Sequence, residues 1–244
     1  RYVPMPIAGF KGLALSTLTL PMKVLTSIRI ARDVIRQHQP HVVVCTGAYI
    51  SYPVGVAAIR EHIPLVVLES NLNPGKTNSR LAPKATAVVL AFEESRRFYP
   101  DSMTSRLHVL GNPVRTQIDV SKPVDQARLA YGLDPNRATV LAFGGSLGAH
   151  TINTSIERAL PEIADRPWQL LWQTGKGYTP PSVLPPNVTM LPFLEDMGSA
   201  YAAADLVVSR SGATTIAELG IVGKPAILVP LATASTNEQQ HNAR

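Results

Sequence analysis

Thr139-Val140-Leu141-Ala142-Phe143-Gly144-Gly145-Ser146-Leu147-Gly148-Ala149 is the stretch on which the fold turns. A short apolar run enters a glycine-rich bend, and a helical pattern follows over Ala149–Ala164. A strand that is apolar at successive positions, not alternate ones, is covered on both faces, as in a parallel sheet. Glycines at the bend let backbone N–H groups approach an anion closely. The helix start adds positive potential, and the Ser146 hydroxyl can donate a hydrogen bond. A diphosphate suits such a turn. A tight βα turn with no ligand uses glycine in the same way, so both readings stand at this point. The bend lacks the Gly-Lys-Ser/Thr ending of a Walker loop and the spacing of Gly-x-Gly-x-x-Gly.

The same alternation extends in both directions. Upstream, strand candidates are His41–Thr46, Leu65–Glu69, Ala87–Phe92 and Leu107–Leu110. Downstream they are Trp168–Gln173, Val188–Pro192, Asp205–Ser209 and Pro225–Val229. Helical patterns lie between them, as at Tyr52–Glu61, Met197–Ala204 and Thr214–Val222. This rhythm predicts doubly wound α/β architecture. It breaks between Gly111 and Pro135, where Pro113, Pro123 and Pro135 bracket a charged stretch and an entry helix at Gln126–Tyr131. A boundary near Arg115 follows. Two Rossmann-like domains, 1–115 and 116–244, facing a cleft are expected. Thr179–Pro186 reads as a surface loop.

Other strand ends carry polar residues. Ser209-Arg210-Ser211-Gly212-Ala213-Thr214-Thr215-Ile216-Ala217-Glu218 joins a strand to a helix and presents N–H groups and hydroxyls at the carboxyl edge of the sheet, where open α/β folds bind ligands. Glu218 can accept both hydroxyls of a ribose, or it can merely complement the helix dipole. Beside the Gly144 loop the ribose reading is the stronger. Asn237–Ala243 is amide-rich and suits a nucleobase or sugar, or a plain helix start. Gly111-Asn112-Pro113-Val114-Arg115 places an arginine at the boundary, within reach of a phosphate or sugar. Gly47–Pro53 and Asn71–Gly75 also follow strands.

Composition narrows the class. The 244 residues are 45% hydrophobic and 16% charged, enough for a folded core, and the net charge of +6 suits an anionic partner or simple solubility. Cys45 is the sole cysteine and sits in an apolar run, which excludes an intrachain disulfide and points to a reducing compartment. No run reaches the roughly 18 apolar residues of a membrane span, and no secretory signal pattern occurs. The histidines have no zinc spacing, and there is no Asp-x-Asp pair to hold a metal against a diphosphate. Leaving-group charge would fall to helix ends, arginine and hydroxyls. Aromatics are 6%, without the basic interleaving of a single-strand nucleic-acid platform. In the first forty residues Leu13, Leu15, Leu18, Leu20, Val24, Leu25, Ile28 and Ile30 alternate with Lys11, Lys23, Arg29, Arg32 and Arg36. From Pro21 this gives an amphipathic helix, suited to the domain core or to anionic lipid. The opening at Arg1 and the close at Arg244, where a helical pattern begins, lead us to expect a piece of a longer protein.

Five stretches occur in one order and spacing: Gly111–Arg115, Gly144–Ala149, Trp172–Gly177, Phe193–Met197 and Ser209–Glu218. Together they resemble the MurG family, glycosyltransferase family 28, from about Gly9 to Ala243. The resemblance implies a GT-B fold and an inverting, metal-independent transferase with no cofactor. The family moves N-acetylglucosamine from UDP-N-acetylglucosamine to lipid I, giving lipid II, as a peripheral protein on the cytoplasmic face of the inner membrane. By position it implies UDP-N-acetylglucosamine contacts at Asn71, Arg115 and Ser146, and uracil contact by the Leu194 backbone. It implies phosphate and ribose contacts at Ala213, Thr214, Thr215, Ile216, Ala217 and Glu218, and a sugar contact at Gln239. It turns the apolar, basic region of the first forty residues toward the membrane. It implies lipid I and an anionic membrane surface as partners, and no nucleic acid. The family's first glycine-rich loop, with its histidine, would precede Arg1, and its tail would follow Arg244. Ala48 and Tyr52 stand where the family has glycines, adding bulk on the acceptor side. No residue of this chain is read as a catalytic base. A UDP-N-acetylglucosamine 2-epimerase, a non-catalytic nucleotide-sugar-binding piece and a transferase for another lipid such as diacylglycerol are the rival readings.

Overall fold

The computed structural model describes residues 2–7, 20–118, 121–231 and 237–243. The chain divides into two compact units, Arg1–Asn112 and Pro113–Arg244.

The first unit holds α1 (Leu20–His38), β1 (Val43–Cys45), α2 (Ala48–Arg60), β2 (Leu65–Glu69), α3 (Lys76–Leu81), β3 (Ala87–Leu90) and β4 (Leu107–Val109). The strands pair in parallel in the order β1-β2-β3-β4. Leu65, Val67, Val88 and Leu90 form the buried centre, closed by Leu81 and Met103. On α1, Ala31 and Ile35 pack against Ala57 and Ala58 of α2. Arg32 and Arg36 donate to Glu61 at 2.6 and 2.8 Å and fasten the two helices from outside. Met22 and Leu25 point the other way, 69% and 60% exposed. The helix therefore has both a core face and an exposed apolar edge. Lys11, Leu13, Leu15 and Leu18 lie outside the described residues.

The second unit holds α4 (Val124–Ala130), β5 (Thr139–Phe143), α5 (His150–Ala164), β6 (Gln169–Gln173), β7 (Val188–Leu191), α6 (Met197–Ala203), β8 (Leu206–Ser209), α7 (Ala213–Val222), β9 (Ala226–Leu228) and α8 (Glu238–Asn242). Its strands are also parallel, in the order β7-β6-β5-β8-β9. Successive residues bury on opposite faces. Leu141, Leu171 and Val207 meet Ala200, Tyr201 and Ala203 of α6. Ala142, Leu170 and Trp172 meet Leu160 and Ile163 of α5. Two-sided burial is why these strands read as continuous apolar runs. Arg128 on α4 is buried and donates to the Ala203 and Pro135 carbonyls and to Asp205, tying the entry helix to the sheet. Among the described residues no helix is long and apolar enough to cross a membrane.

Some details differ from the sequence expectations. The division falls after Asn112, close to the boundary expected near Arg115. The Arg115 carbonyl accepts from the Ile118 N–H, and its guanidinium reaches Glu218, so Arg115 folds with the second unit. The helix read from Tyr52 starts earlier, at Ala48. The six-residue α3 was not read from the sequence, since Lys-Thr-Asn-Ser offers too little apolar period to mark so short a helix.

Ala48 opens α2 at φ 58, in the left-handed region where a Cβ is strained. Such a residue costs about 1–3 kcal/mol, against about 0.4–1 kcal/mol for glycine's extra freedom in the unfolded chain. Ala48→Gly is expected to raise stability by about 1 kcal/mol, read from the urea midpoint. A lower midpoint would mean that the turn carries no strain.

Candidate functional site

The strand order reverses at β5. The chain steps outward through β6 and β7, then returns to place β8 on the other side of β5. Loops leaving neighbouring strands in opposite directions open a crevice at their carboxyl ends, the ligand position of open α/β sheets. Register sharpens this. Phe143 pairs with both Gln173 and Ser209, and Gln173 pairs with Leu191, so four strands end at one height. A cavity of about 240 Å³ opens there. Phe143, Gly145 and Ser146 line it from β5 and its loop, Gln173 from β6, and Phe193, Leu194 and Met197 from the segment after β7. Thr214, Thr215 and Glu218 of α7 and Arg115 complete it.

The glycine loop is shaped by two distinct demands. Gly148 has φ +78, and a Cβ there would lie 2.0 Å from the Thr174 carbonyl oxygen, so the turn closes on the end of β6 only with glycine. Gly145, at φ +86, has nothing within 4 Å of a Cβ position and borders the cavity. The first glycine serves packing and the second leaves room for a ligand. Asn153, buried on α5, fixes this corner by donating to the Thr174 carbonyl at 2.8 Å and accepting from Trp172 Nε1 at 3.1 Å. The residues before α5 and α7, Ala149 and Gly212, make no side-chain cap hydrogen bond, and a helix start carries positive potential.

Glu218 is 4% exposed, in the second turn of α7. Its Oε2 accepts from the Tyr201 hydroxyl at 2.9 Å. Its Oε1 is buried without a hydrogen-bond partner, and Arg115 Nε stands 3.8 Å away. An unpaired buried acceptor costs about 1–3 kcal/mol, and a ligand hydroxyl removes that cost. Tyr201 packs edge-on against Phe143, with ring centroids 6.0 Å apart. Burial, reinforced by the Glu218 charge, pushes its hydroxyl above the usual phenol range, so it donates and does not ionise.

The segment after β7 is held from below. Asp196 caps α6, accepting from the Ser199 N–H at 3.0 Å, and its backbone carbonyl accepts from Tyr131 at 2.6 Å. Lys122 donates to Asp196 at 2.7 Å. Beside the cavity, Lys176 lies 5.5 Å over the Phe193 ring.

Of the residues singled out in the sequence, Arg115, Ser146, Leu194, Thr214, Thr215 and Glu218 line this cavity. Ala213 stands at the α7 start, while Ile216 and Ala217 lie in the helix body, off the lining, and the Ile216 N–H is taken by the Gly212 carbonyl. The amide oxygen of Gln239 accepts from the Leu231 N–H, and its carbonyl accepts from Ser211. Asn71 is in the first unit, where its N–H donates to Glu69. Phe143, Gln173, Phe193 and Met197 were not singled out as site residues. The first two are the last residues of their strands, which is the signal that could have found them. Among the described residues no group of three or more His, Cys, Asp or Glu side chains could hold a metal ion.

Residues 139–244 match the glycosyltransferase family 28 C-terminal domain, and residues 1–90 match its N-terminal domain. The UDP-N-acetylglucosamine–N-acetylmuramyl-(pentapeptide) pyrophosphoryl-undecaprenol N-acetylglucosamine transferase of Lacticaseibacillus casei is 37% identical over 250 residues, covering 100% of this chain and 68% of that protein. The chain belongs to glycosyltransferase family 28. The transferase of the same name from Cytophaga hutchinsonii is 38% identical over 236 residues, 96% of this chain and 63% of that protein. The chain thus spans about two thirds of the length of these family 28 relatives. The crystal structure of Acinetobacter baumannii MurG superposes with a TM-score of 0.70 at 29% identity, covering 99% of this chain and 67% of that one. The UDP-GlcNAc 2-epimerase of Neisseria meningitidis, bound to UDP-GlcNAc, gives 0.62 at 17% identity, covering 91% and 67%, and shares the fold alone. The family 28 chain has the GT-B fold, with a parallel Rossmann-like sheet in each unit.

The Lys122 ammonium, helped by the Ser199 hydroxyl and N–H, holds the Asp196 carboxyl at about 2, below its ordinary 3.8. A depressed carboxylate stabilises the fold above the ordinary value and ceases to do so as pH falls through about 2. Lys122→Ala is expected to raise the Asp196 midpoint toward 3.8 in an NMR titration. An unmoved midpoint would assign the effect to Ser199 alone.

Proposed function

We propose that the protein carrying this chain is an inverting N-acetylglucosaminyltransferase that moves N-acetylglucosamine from UDP-N-acetylglucosamine to the 4-hydroxyl of the muramyl sugar of lipid I, forming lipid II. The observation that carries the donor assignment is the unpaired, buried Oε1 of Glu218, a residue that lines one cavity with Ser146, Thr214 and Thr215 near the starts of α5 and α7. A ribose diol meets the carboxylate, and a diphosphate meets the helix starts. The names of the relatives at 37% and 38% identity support the sugar and the acceptor.

In this reading the second unit binds UDP-N-acetylglucosamine. The Leu194 backbone pairs with uracil, Glu218 takes the ribose, and Ser146 with Ala213, Thr214 and Thr215 takes the diphosphate. Arg115, Asn71 and Gln239 reach the phosphates and sugar. Ile216 and Ala217 contribute through groups other than the Ile216 N–H, which α7 uses. The first unit binds the acceptor. Its hydroxyl oxygen forms a bond to the anomeric carbon from the face opposite UDP, and the carbon–oxygen bond to the β-phosphate breaks with its electron pair on UDP. The hydroxyl proton leaves to a base that this chain does not identify. The growing charge on the diphosphate is met by the α5 and α7 starts and Ser146, without a metal ion, and these interactions strengthen toward the transition state.

The protein attaches as a peripheral protein to the cytoplasmic face of the membrane. The exposed Met22 and Leu25 beside Lys23, Arg29 and Arg32 support this, since such a surface suits anionic lipid.

Incubation with UDP-N-acetylglucosamine and lipid I is expected to yield lipid II and one UDP per transfer, read by mass spectrometry. UDP released equally without acceptor, or N-acetylmannosamine as product, would overturn the assignment in favour of a 2-epimerase. Glu218→Ala is expected to weaken UDP binding by about 1–3 kcal/mol in titration calorimetry, and unchanged affinity would remove the ribose role. Ser146→Ala is expected to weaken UDP binding while leaving uridine binding and the melting temperature unchanged. Equal losses of all three would make Ser146 a structural turn residue.

A further inference from the structure

We propose that Tyr201 is the positioning residue that makes Glu218 selective for a ribose over a deoxygenated sugar, by holding one carboxylate oxygen so that the other faces the ligand. This deepens the donor reading above and rests on the ribose role of Glu218.

The two oxygens of Glu218 are unequal. Oε2 accepts from Tyr201 at 2.9 Å, whereas Oε1 is buried with no hydrogen-bond partner and only the longer Arg115 contact at 3.8 Å, on a residue that lines the cavity. A carboxylate turns readily about its last bond, so nothing intrinsic to glutamate fixes the plane in which its oxygens meet a ligand. The Tyr201 hydrogen bond does. Rotating the group would break that bond in a site shut off from water, where an unmet polar atom is costly.

Tyr201 can do this because it is buried and braced by its neighbours. It is 1% exposed, and its ring stands edge-on to Phe143 at 78°. Its helix, α6, begins at Asp196, which Lys122, Ser199 and Tyr131 hold. Phe143 is the last residue of β5, immediately before the Gly144 loop. The hydroxyl that sets Glu218 is therefore referenced to the strand end that sets the diphosphate loop. Phenylalanine at 201 would keep the ring contact and leave the carboxylate free to turn.

The test is titration calorimetry with UDP and with 2′,3′-dideoxy-UDP on the wild-type protein and on Tyr201→Phe, Glu218→Leu and Tyr201→Phe/Glu218→Leu. The wild type is expected to prefer UDP by about 10-fold or more, as the loss of hydrogen bonds to a buried charge implies. Tyr201→Phe is expected to lower UDP affinity by about 5-fold or more while leaving the dideoxy ligand unchanged. Equal losses for both ligands, or no loss for either, would overturn the role of Tyr201 while the ribose role of Glu218 stands. Equal binding of the two ligands by the wild type would instead overturn the ribose role itself. Tyr201→Phe leaves a buried carboxylate oxygen unpaired. If it fails to fold, Glu218→Leu and the double variant, which leaves no buried charge there, decide the question. Their UDP affinities are expected to match, and a further loss in the double variant would overturn the proposal.

Discussion

Parallel pairing of β5 with its neighbours in the registers Phe143↔Gln173 and Phe143↔Ser209 brings three central strands to an end at one level. Everything at the candidate site hangs from that level. The Gly144 loop, the Gln173 side chain and the turn into α7 all start within a few residues of it. A slip of one residue would turn the Phe143 side chain to the other face of the sheet and separate it from Tyr201. The strand-order reversal between β5 and β8 then makes the crevice. Neither needs a ligand to form, because the sheet is stabilised by the two-sided burial of Leu141, Ala142, Leu171 and Val207.

Most of this was legible in the sequence for the same reason that the sheet is stable. Parallel strands covered on both faces must be apolar at nearly every position, so Leu65–Glu69 and Thr139–Phe143 could be read to the residue. What escaped was what periodicity does not encode. The left-handed residue Ala48 starts α2 several residues before its apolar pattern becomes visible. Arg115 joins the second unit through an ion pair with a residue about a hundred positions away. Glycines and hydroxyls at strand ends announced themselves, so Ser146, Thr214, Thr215 and Glu218, which line the cavity, were singled out. Tyr201 was not, because on α6 it reads as one more core aromatic. Its part depends on a partner 17 residues later in the sequence. The contact of the Gln239 amide oxygen with the Leu231 N–H was likewise not encoded in any pattern.

The first unit uses a related device without glycine crowding. Glu69, the last residue of β2, is 2% exposed and accepts from the Asn71 and Gly75 N–H groups and from Asn78. One buried carboxylate thus shapes the whole Asn71–Gly75 turn. In the second unit, Glu218 keeps an oxygen in reserve. The contrast separates a carboxylate fully used in building a loop from one left with a buried, unpartnered oxygen.

The close approach of Gly148 to Thr174 has a mirror image. A Cβ on Gly175 would lie 2.5 Å from the Leu147 carbonyl oxygen, so each turn forbids a side chain on the other. The pair is locked for evolution as well as for folding, because neither position can drift while its counterpart stays. New ligand preferences must therefore come from neighbours that can change size without moving the main chain. Phe193 and Met197, which line the cavity and are only partly covered, meet that condition, and they are where a lineage on this scaffold is freest to vary.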